Sequence, residues 1–522
     1  MNDKNKHSGN ISRSRFWLPL GSLAGLLLLS ELVYLALLKL NAVNGWRPVS
    51  IFWLEMGGLF VLYALAAIVV WRFRSIGKPG LWLIIFGAVL FRVTLLPAGI
   101  PYEISTSEKL DAMKADLLGS EVAYERFQLF DNDIWRYVWD GHVSAHGVNP
   151  YQFAPDDPRV DFLTGDAGGG ETGDTDDPNT VESIEKSSPS AAVSDPTDGL
   201  DIWTDVRDNV NYAGVTTIYP PLAQGLFWLS HEIAPGSVLM MKLLLVGCEL
   251  IGILFLGLTL RRLEMPVTSV ILYAWNPLMI KVFAASGHAD AILVATLCML
   301  AYFIARGAKT FAAVALGLAI LAKLSPVILL PFVARRIGLL RTLLIAAVVF
   351  IGYLPFLDAG QNLFAGFLKF AGEWQFNPGV FGLLRWIFEF VSADAAGLAR
   401  TVCALMILAI VGWLTMRDDL SERNFFRASA IVLGSAIILS PTVMPWYLSW
   451  VLPFAVLARQ YIWIFFSAFV LMAFHIMIDL NEYTLVLWFE HGLFFALLFF
   501  GLYRRKITKP LSLVIAGGIR PN

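Results

Sequence analysis

Charge is scarce in this sequence: 15% of its 522 residues are Asp, Glu, Lys or Arg, against 57% hydrophobic. Soluble domains carry nearer a quarter charged residues, so the deficit excludes an ordinary water-soluble fold and assigns the excess apolar surface to lipid. Cysteine is scarce too. Cys248, Cys298 and Cys403 all fall inside hydrophobic runs with neither disulfide nor metal spacing, and they read as small packing residues. No Walker A loop, no GxGxxG after a strand and no His/Cys metal spacing is present, so nucleotide-sugar use and coupling to ATP are unsupported. Net charge is close to zero, and no basic surface offers itself to nucleic acid. Lys4, Lys6, Arg13 and Arg15 precede an apolar run too long for the core of a cleaved signal peptide, with no small-residue cleavage site after it, so it reads as a retained first span.

What the chain has in abundance is long hydrophobic runs. A helix needs roughly 20 apolar residues to cross the hydrocarbon core. Candidates are 16–40, 51–71, 80–100, 237–260, 265–283, 288–305, 309–323, 325–334, 338–357, 396–416, 426–441, 446–459, 460–479 and 484–503. Several are short, and the pairs 309–323/325–334 and 446–459/460–479 suit kinked or re-entrant segments. The expected class is an all-α polytopic membrane protein with about a dozen or more spans. Its divisions are three spans in 1–100, a loop over 101–236, a bundle of about eleven spans over 237–505 and a tail over 506–522.

Lys and Arg in short loops set the orientation. With both termini cytoplasmic, Arg72, Arg74, Lys78, Arg261, Arg262, Arg306, Lys309, Arg335, Arg336, Arg417, Arg423 and Arg504 to Lys506 all fall inside. The loop 101–236 then lies outside. Its residues 156–208 hold fifteen acidic and three basic side chains among Gly, Ser and Pro, too little apolar surface to offset ordering entropy, and a disordered insertion is expected there. Residues 219–234 read as an amphipathic stretch lying flat at the interface. On a helix, Asp133, Arg136, Tyr137 and Asp140 share one face. Trp135 and Trp139 share another, which suits an aromatic anchor at headgroup level. The bland alternative is a solvated juxtamembrane helix whose charges pair with each other.

These residues carry a family resemblance. The run DNDIWRYVWDG from Asp131 to Gly141, GVNPY from Gly147 to Tyr151, and Tyr219 to Leu222 resemble, in order, the DxD, GxxPY and YxPL elements of GT-C glycosyltransferases. Polyprenyl-phosphate-mannose-dependent bacterial mannosyltransferases and the catalytic subunit of GPI mannosyltransferase I are the nearest look-alikes. Trp275 to Leu278 with Gly287 to Asp290 resemble an NPL…GHxD run, Ala322 to Pro326 an LKxxP element, and Ser440, Pro441 and Trp446 to Leu448 an SP…WYL element. The sequence departs from the pattern at Ala289, where Asn is common, at Lys281, where an acid is expected, in two extra N-terminal spans, and in the 156–208 insertion.

The resemblance implies a GT-C-like helical bundle with interfacial helices in a large outer loop. It further implies a polyprenyl-phosphate sugar as donor, a glycan or glycolipid as acceptor, and direct displacement with inversion. Attack by an acceptor hydroxyl needs a base, with Asp133 the first candidate and Asp131 the second, or a partner that orients the acceptor or a divalent ion. Asp131 also suits a plain helix N-cap. A departing phosphate needs fixed positive charge, for which Lys323, His288, Arg136 and Arg385 are candidates. Lys323 at the outer end of a span alternatively snorkels to headgroups. Asp140, Asn149, Tyr151, Tyr219, Asp290, Trp446 and Tyr447 are candidate substrate contacts, Asp290 alternatively orienting His288 and the aromatics alternatively forming an interfacial belt. Glu31, Arg92 and Glu249 lie within spans as structural pairs or as lining of a donor groove. A transporter or flippase, or a polysaccharide polymerase, remains the alternative. A transporter would show paired half-sequences, and a polymerase tends to show Arg-rich outer loops.

Overall fold

The computed structural model describes residues 4–39, 46–73, 76–101, 105–119, 123–127, 129, 131–164, 201–476 and 483–516. Helices α1 (Lys4–Leu37), α2 (Trp46–Arg72) and α3 (Gly77–Leu95) lead into an intervening segment. That segment carries α4 (Thr106–Leu117), α5 (Ile134–Ala145), α6 (Asp201–Asp208) and α7 (Pro221–Ile233). The chain then enters the main bundle through α8 (Val238–Arg262), α9 (Asp290–Arg306) and α10 (Lys309–Ala322). Helices continue to Ala516, and the described residues contain no strand beyond one isolated bridge between Phe376 and Thr442. The protein is an all-α polytopic membrane protein. Buried α9 packs along both α8 and α10, and it forms the centre of the bundle.

Six helices among the described residues are long and apolar enough to span: Trp17–Leu37, Ile51–Arg72, Gly77–Leu95, Val238–Arg262, Leu339–Glu373 and Ala395–Met416. A seventh is the pair Val267–Ala274 and Pro277–Ala285, bent by 60°. Their flanks leave Leu54, Trp71, Leu339 and Leu340 exposed, as lipid-facing surface requires. The count is lower than the dozen or more expected from hydropathy. Proline accounts for much of the difference, because it removes a backbone donor and breaks long apolar runs into short helices. Pro326 and Pro331 split the region after α10, and Pro445 and Pro453 open the short elements of 445–458.

Two further expectations are corrected. The segment 156–208 is not disordered throughout: Pro158–Leu163 forms a 3-10 turn, and α6 ends the stretch. Val160, Leu163, Trp203 and Val206 are buried, and Arg207 pairs with Asp161 at 2.8 Å. The remainder of that expectation, 165–200, lies outside the described residues. Nor do the tryptophans of α5 form an exposed aromatic anchor. Every residue from Ile134 to Val143 is buried, Trp135 and Trp139 included. Gly141 explains how closely α5 sits on α7: a Cβ there would stand 2.4 Å from the Phe227 carbonyl oxygen. Helix α7 does keep an apolar outer face, with Trp228, Leu229 and Ile233 exposed.

The charges inside the spans form a structural pair. Arg92 Nε and Nη2 donate to Glu249 at 2.6 and 2.5 Å, while Nη1 donates to the Ala88 and Ala274 carbonyls at 2.8 and 2.9 Å. This ties α3 to α8 and to the bent pair, with no exposed charge on either partner. Breaking such a pair strands its survivor. Arg92→Met is therefore expected to cost roughly 3–5 kcal/mol, and the double variant Arg92→Met/Glu249→Met to recover most of it, as read by thermal unfolding in detergent.

Candidate active site

The site is built where the segment before α5 meets the bend before α9. In the WNPL run, Asn276 takes an extended backbone and its side-chain oxygen accepts from Leu278 N at 3.1 Å, with Pro277 at the first helical position. Asn276 also donates to Ser467 Oγ at 2.8 Å. The chain then makes a π turn over Lys281–Ala285, and Gly287 follows with φ of +67°. A side chain at Gly287 would meet Ile134 Cδ1 at 2.6 Å. This close turn delivers His288 to the N-terminus of α5.

His288 Nε2 hydrogen-bonds the Asp131 carboxylate, and its Nδ1 stands 3.5 Å from the Tyr137 hydroxyl and 3.8 Å from Asp133 Oδ2. The Trp446 ring stacks on the imidazole at 3.9 Å. Lys281, fully buried, places Nζ 3.8 Å from Asp131 Oδ2 and 3.6 Å from the Phe474 ring centre. The two acids differ in access. The Asp131 side chain is 2% exposed, that of Asp133 27%. Asp133 caps α5 by position without a side-chain cap bond, and its Oδ1 accepts from Asn211 at 3.0 Å.

Their protonation differs likewise. Burial works against an ionised Asp131, but the charge and hydrogen bond of His288, with Lys281 beyond, outweigh it and hold this carboxyl below its ordinary range. Burial, and next the Asp131 carboxylate, push Asp133 up to about 6. Asp131, Asp133 and His288 offer ligand atoms within 4.8 Å of one another, a donor set that would also hold a divalent cation.

A second pair borders this cluster. Lys323 ends α10 in an extended conformation, and its Nζ donates to the two Asp290 oxygens at 3.0 and 3.2 Å. Trp450 Nε1 donates to the same carboxylate. The ammonium lies 4.6 and 4.8 Å from the rings of Tyr447 and Trp450. Lys323 is thus a packed, paired residue rather than one reaching to headgroups, yet its side chain stays 26% exposed. Asp290 orients Lys323 and makes no bond to His288. Tyr219 closes another side, its hydroxyl donating to that of Tyr137 at 3.4 Å.

Other residues singled out from sequence hold the scaffold. Arg136 donates to Asp140 at 2.7 Å and to the Val215 carbonyl at 2.8 Å, while Asp140 also accepts from Thr217 and Gln224. Asn149 Nδ2 donates to Asp358 and the Phe356 carbonyl, its Oδ1 accepts from Tyr151 N, and the Tyr151 hydroxyl donates to the Tyr219 carbonyl at 2.7 Å. Arg385 is partnered by Glu389 and Gln375 and joins none of this. Three residues of the site are not among those the sequence motifs pick out: Lys281, Asn211 and Trp450. A lysine inside an apolar run is the signal that points to the first. Nothing local marks the other two.

The cluster collects at the helix ends opposite Arg306 and Lys309, since Asp290 starts α9 and Lys323 follows the end of α10. Residues 209–338, a quarter of the chain, match the model of the MptA_B family, described as the N-terminal domain of alpha-(1->6)-mannopyranosyltransferase. The matched segment contains Asn211, Tyr219, Lys281, His288, Asp290 and Lys323. No curated protein matches, and no solved structure does. The segment is thus similar to a mannosyltransferase-family domain, and the match supports a GT-C-like membrane glycosyltransferase.

Proposed function

We propose that the protein transfers a hexose, mannose by its family match, from a polyprenyl-phosphate sugar to a glycan or glycolipid acceptor on the extracytoplasmic face, with inversion. The observation that carries this reading is the pairing of two partly open groups over a buried polar base: the Asp133 carboxylate and the Lys323 ammonium. Extracytoplasmic placement rests on the basic helix ends, which the positive-inside rule assigns to the cytoplasm.

The acceptor hydroxyl attacks the anomeric carbon, and its proton passes to Asp133. The bond between that carbon and the phosphate oxygen breaks, and its electron pair leaves with the polyprenyl phosphate. Positive charge already held in the site meets the charge that develops, with Lys323 nearest the opening and His288 behind it. Asp131 positions His288, while Asp290 and Trp450 position Lys323. The aromatic faces of Tyr219 and Tyr447 suit stacking against a sugar. An alpha-(1->6) product, as the family description names, requires a donor of β configuration if the displacement inverts. A divalent cation held by Asp131, Asp133 and His288 would add screening for the phosphate, and a chelator arm in the transfer assay reads whether turnover needs one.

Asp133→Asn is expected to lower transfer by roughly 10²–10⁴-fold while the protein remains at its normal level in membranes. Near-normal turnover would remove Asp133 from the role of base. The acid limb of kcat/KM should fall as pH drops through about 6 rather than near 4, because the base works only when ionised and its fold raises its pKa. Lys323→Ala is expected to raise the donor KM by about tenfold or more, the scale of a lost charge-assisted contact. An unchanged donor dependence would put the phosphate elsewhere.

A further inference from the structure

Away from the carboxylates, three of the chain's seven histidines converge. His142 and His146 lie four residues apart on one face of α5, so their rings stand 4.3 Å apart between centres. His231, in the last turn of α7, brings its ring to 5.2 Å from His142 and 5.9 Å from His146. The contact exists because Gly141 lets α5 press onto the backbone at Phe227, one turn before His231.

The hydrogen bonds settle which nitrogens are free. His142 Nε2 donates to the Leu163 carbonyl at 3.1 Å, which leaves its buried Nδ1 as a lone pair with no partner. His146 Nδ1 donates to the His142 carbonyl at 2.9 Å, which leaves Nε2 as a lone pair. His231 Nδ1 is also buried without a partner. An imidazole whose second nitrogen is oriented by a backbone carbonyl is the usual arrangement of a metal-ligating histidine. Each of the three residues offers one ligand atom, and these atoms lie within 4.8 Å of one another. The Trp203 ring stacks on His142 at 3.5 Å and closes one side, while His146 keeps the site open to solvent.

We propose that His142, His146 and His231 form a binding site for a divalent transition metal that favours imidazole, such as Zn²⁺, with a fourth position open. The site is separate from Asp131, Asp133 and His288. Metal spacing is not visible in the sequence, because two of the ligands make an ordinary i, i+4 pair and the third lies 85 residues later, in reach only through the packing of α5 on α7. Bound metal would pin the C-terminal end of α5, the helix whose N-terminus bears Asp133, to α7.

The test uses full-length protein in detergent, free of any polyhistidine tag and stripped with chelator. Titration with Co²⁺ reads the visible absorption of an imidazole-bound ion, and Zn²⁺ then displaces it. The expected result is a saturable site weakened at least tenfold in His146→Gln and in His231→Gln and kept in Asp133→Asn, whether or not the Asp131, Asp133 and His288 set takes up an ion of its own. Zn²⁺ should also raise the thermal midpoint of the unaltered protein and not that of His146→Gln. The exposed position of His146 makes that variant tolerant of the change, and its metal-free midpoint serves as the folding control. No saturable site in the unaltered protein, or a site lost in Asp133→Asn and kept in both histidine variants, overturns the proposal. Neither result bears on sugar transfer, which the Asp133 and Lys323 variants test separately.

Discussion

The contact on which the site depends is the one between Asp131 and His288. Both side chains are almost wholly withdrawn from solvent, and a buried lysine stands beside them. Each alone would carry a desolvation cost of several kcal/mol, so each is tolerable only where the others are. The charges therefore fix a meeting of two distant stretches of chain, separated by 157 residues, more firmly than apolar packing at that point would. Apolar surfaces slide; a buried carboxylate with one imidazole partner has one position.

That demand explains the irregular backbone on the His288 side. A straight span through 265–290 would carry residue 288 past the start of α5. The break at Asn276 and Pro277, the π turn at Lys281–Ala285 and the positive φ of Gly287 shorten and turn the chain. Each frees backbone groups that lipid would not satisfy, and each finds protein partners: Leu278 N on Asn276, Ser286 N on the Lys281 carbonyl, His288 N on the Val282 carbonyl. The irregularity is confined to where the bundle buries it, and the site lies at the same place. π turns are often found at functional sites for this reason, since the extra residue re-aims a side chain without ending the helix.

Much of this was legible in the sequence, and the divisions are physical. Long apolar runs identify α1, α2, α3 and α8 because lipid imposes length and composition together. Runs containing Pro326, Pro445 or Pro453 defeat the same reasoning, since hydropathy is blind to a missing donor. The DxD, GHxD and LKxxP elements identify residues that meet in space, but not which of them meet each other. Asp290 reads from spacing as a partner of nearby His288, yet it serves Lys323, 33 residues on, because α9 and α10 are antiparallel neighbours whose ends adjoin. Asn149 and Tyr151 read as substrate contacts from their place in a motif, while their bonds to Asp358 and Tyr219 tie loop to loop. The tryptophans of α5 mislead in the same way. Trp at four-residue spacing suits an interface belt or a protein core equally, and only the partner helix decides.

The distribution of access among the polar groups is what separates a site from a buried network. In a purely structural cluster every charge would be closed off by a partner, as Arg92 and Glu249 are. Here closure is graded. Asp131, His288 and Asp290 are hydrogen-bonded and withdrawn, and Lys281 is withdrawn with its ammonium 3.8 Å from Asp131, whereas Asp133 and Lys323 each keep about a quarter of their side chain in reach of an entering molecule. The withdrawn set fixes charge and orientation before anything binds, so little reorganisation remains for the moment of reaction. The open pair carries opposite signs, which is the polarity that sugar transfer requires: a base facing the incoming hydroxyl and a cation facing the departing phosphate. A network built only to hold helices together has no need to leave that one pair of opposite charges uncovered.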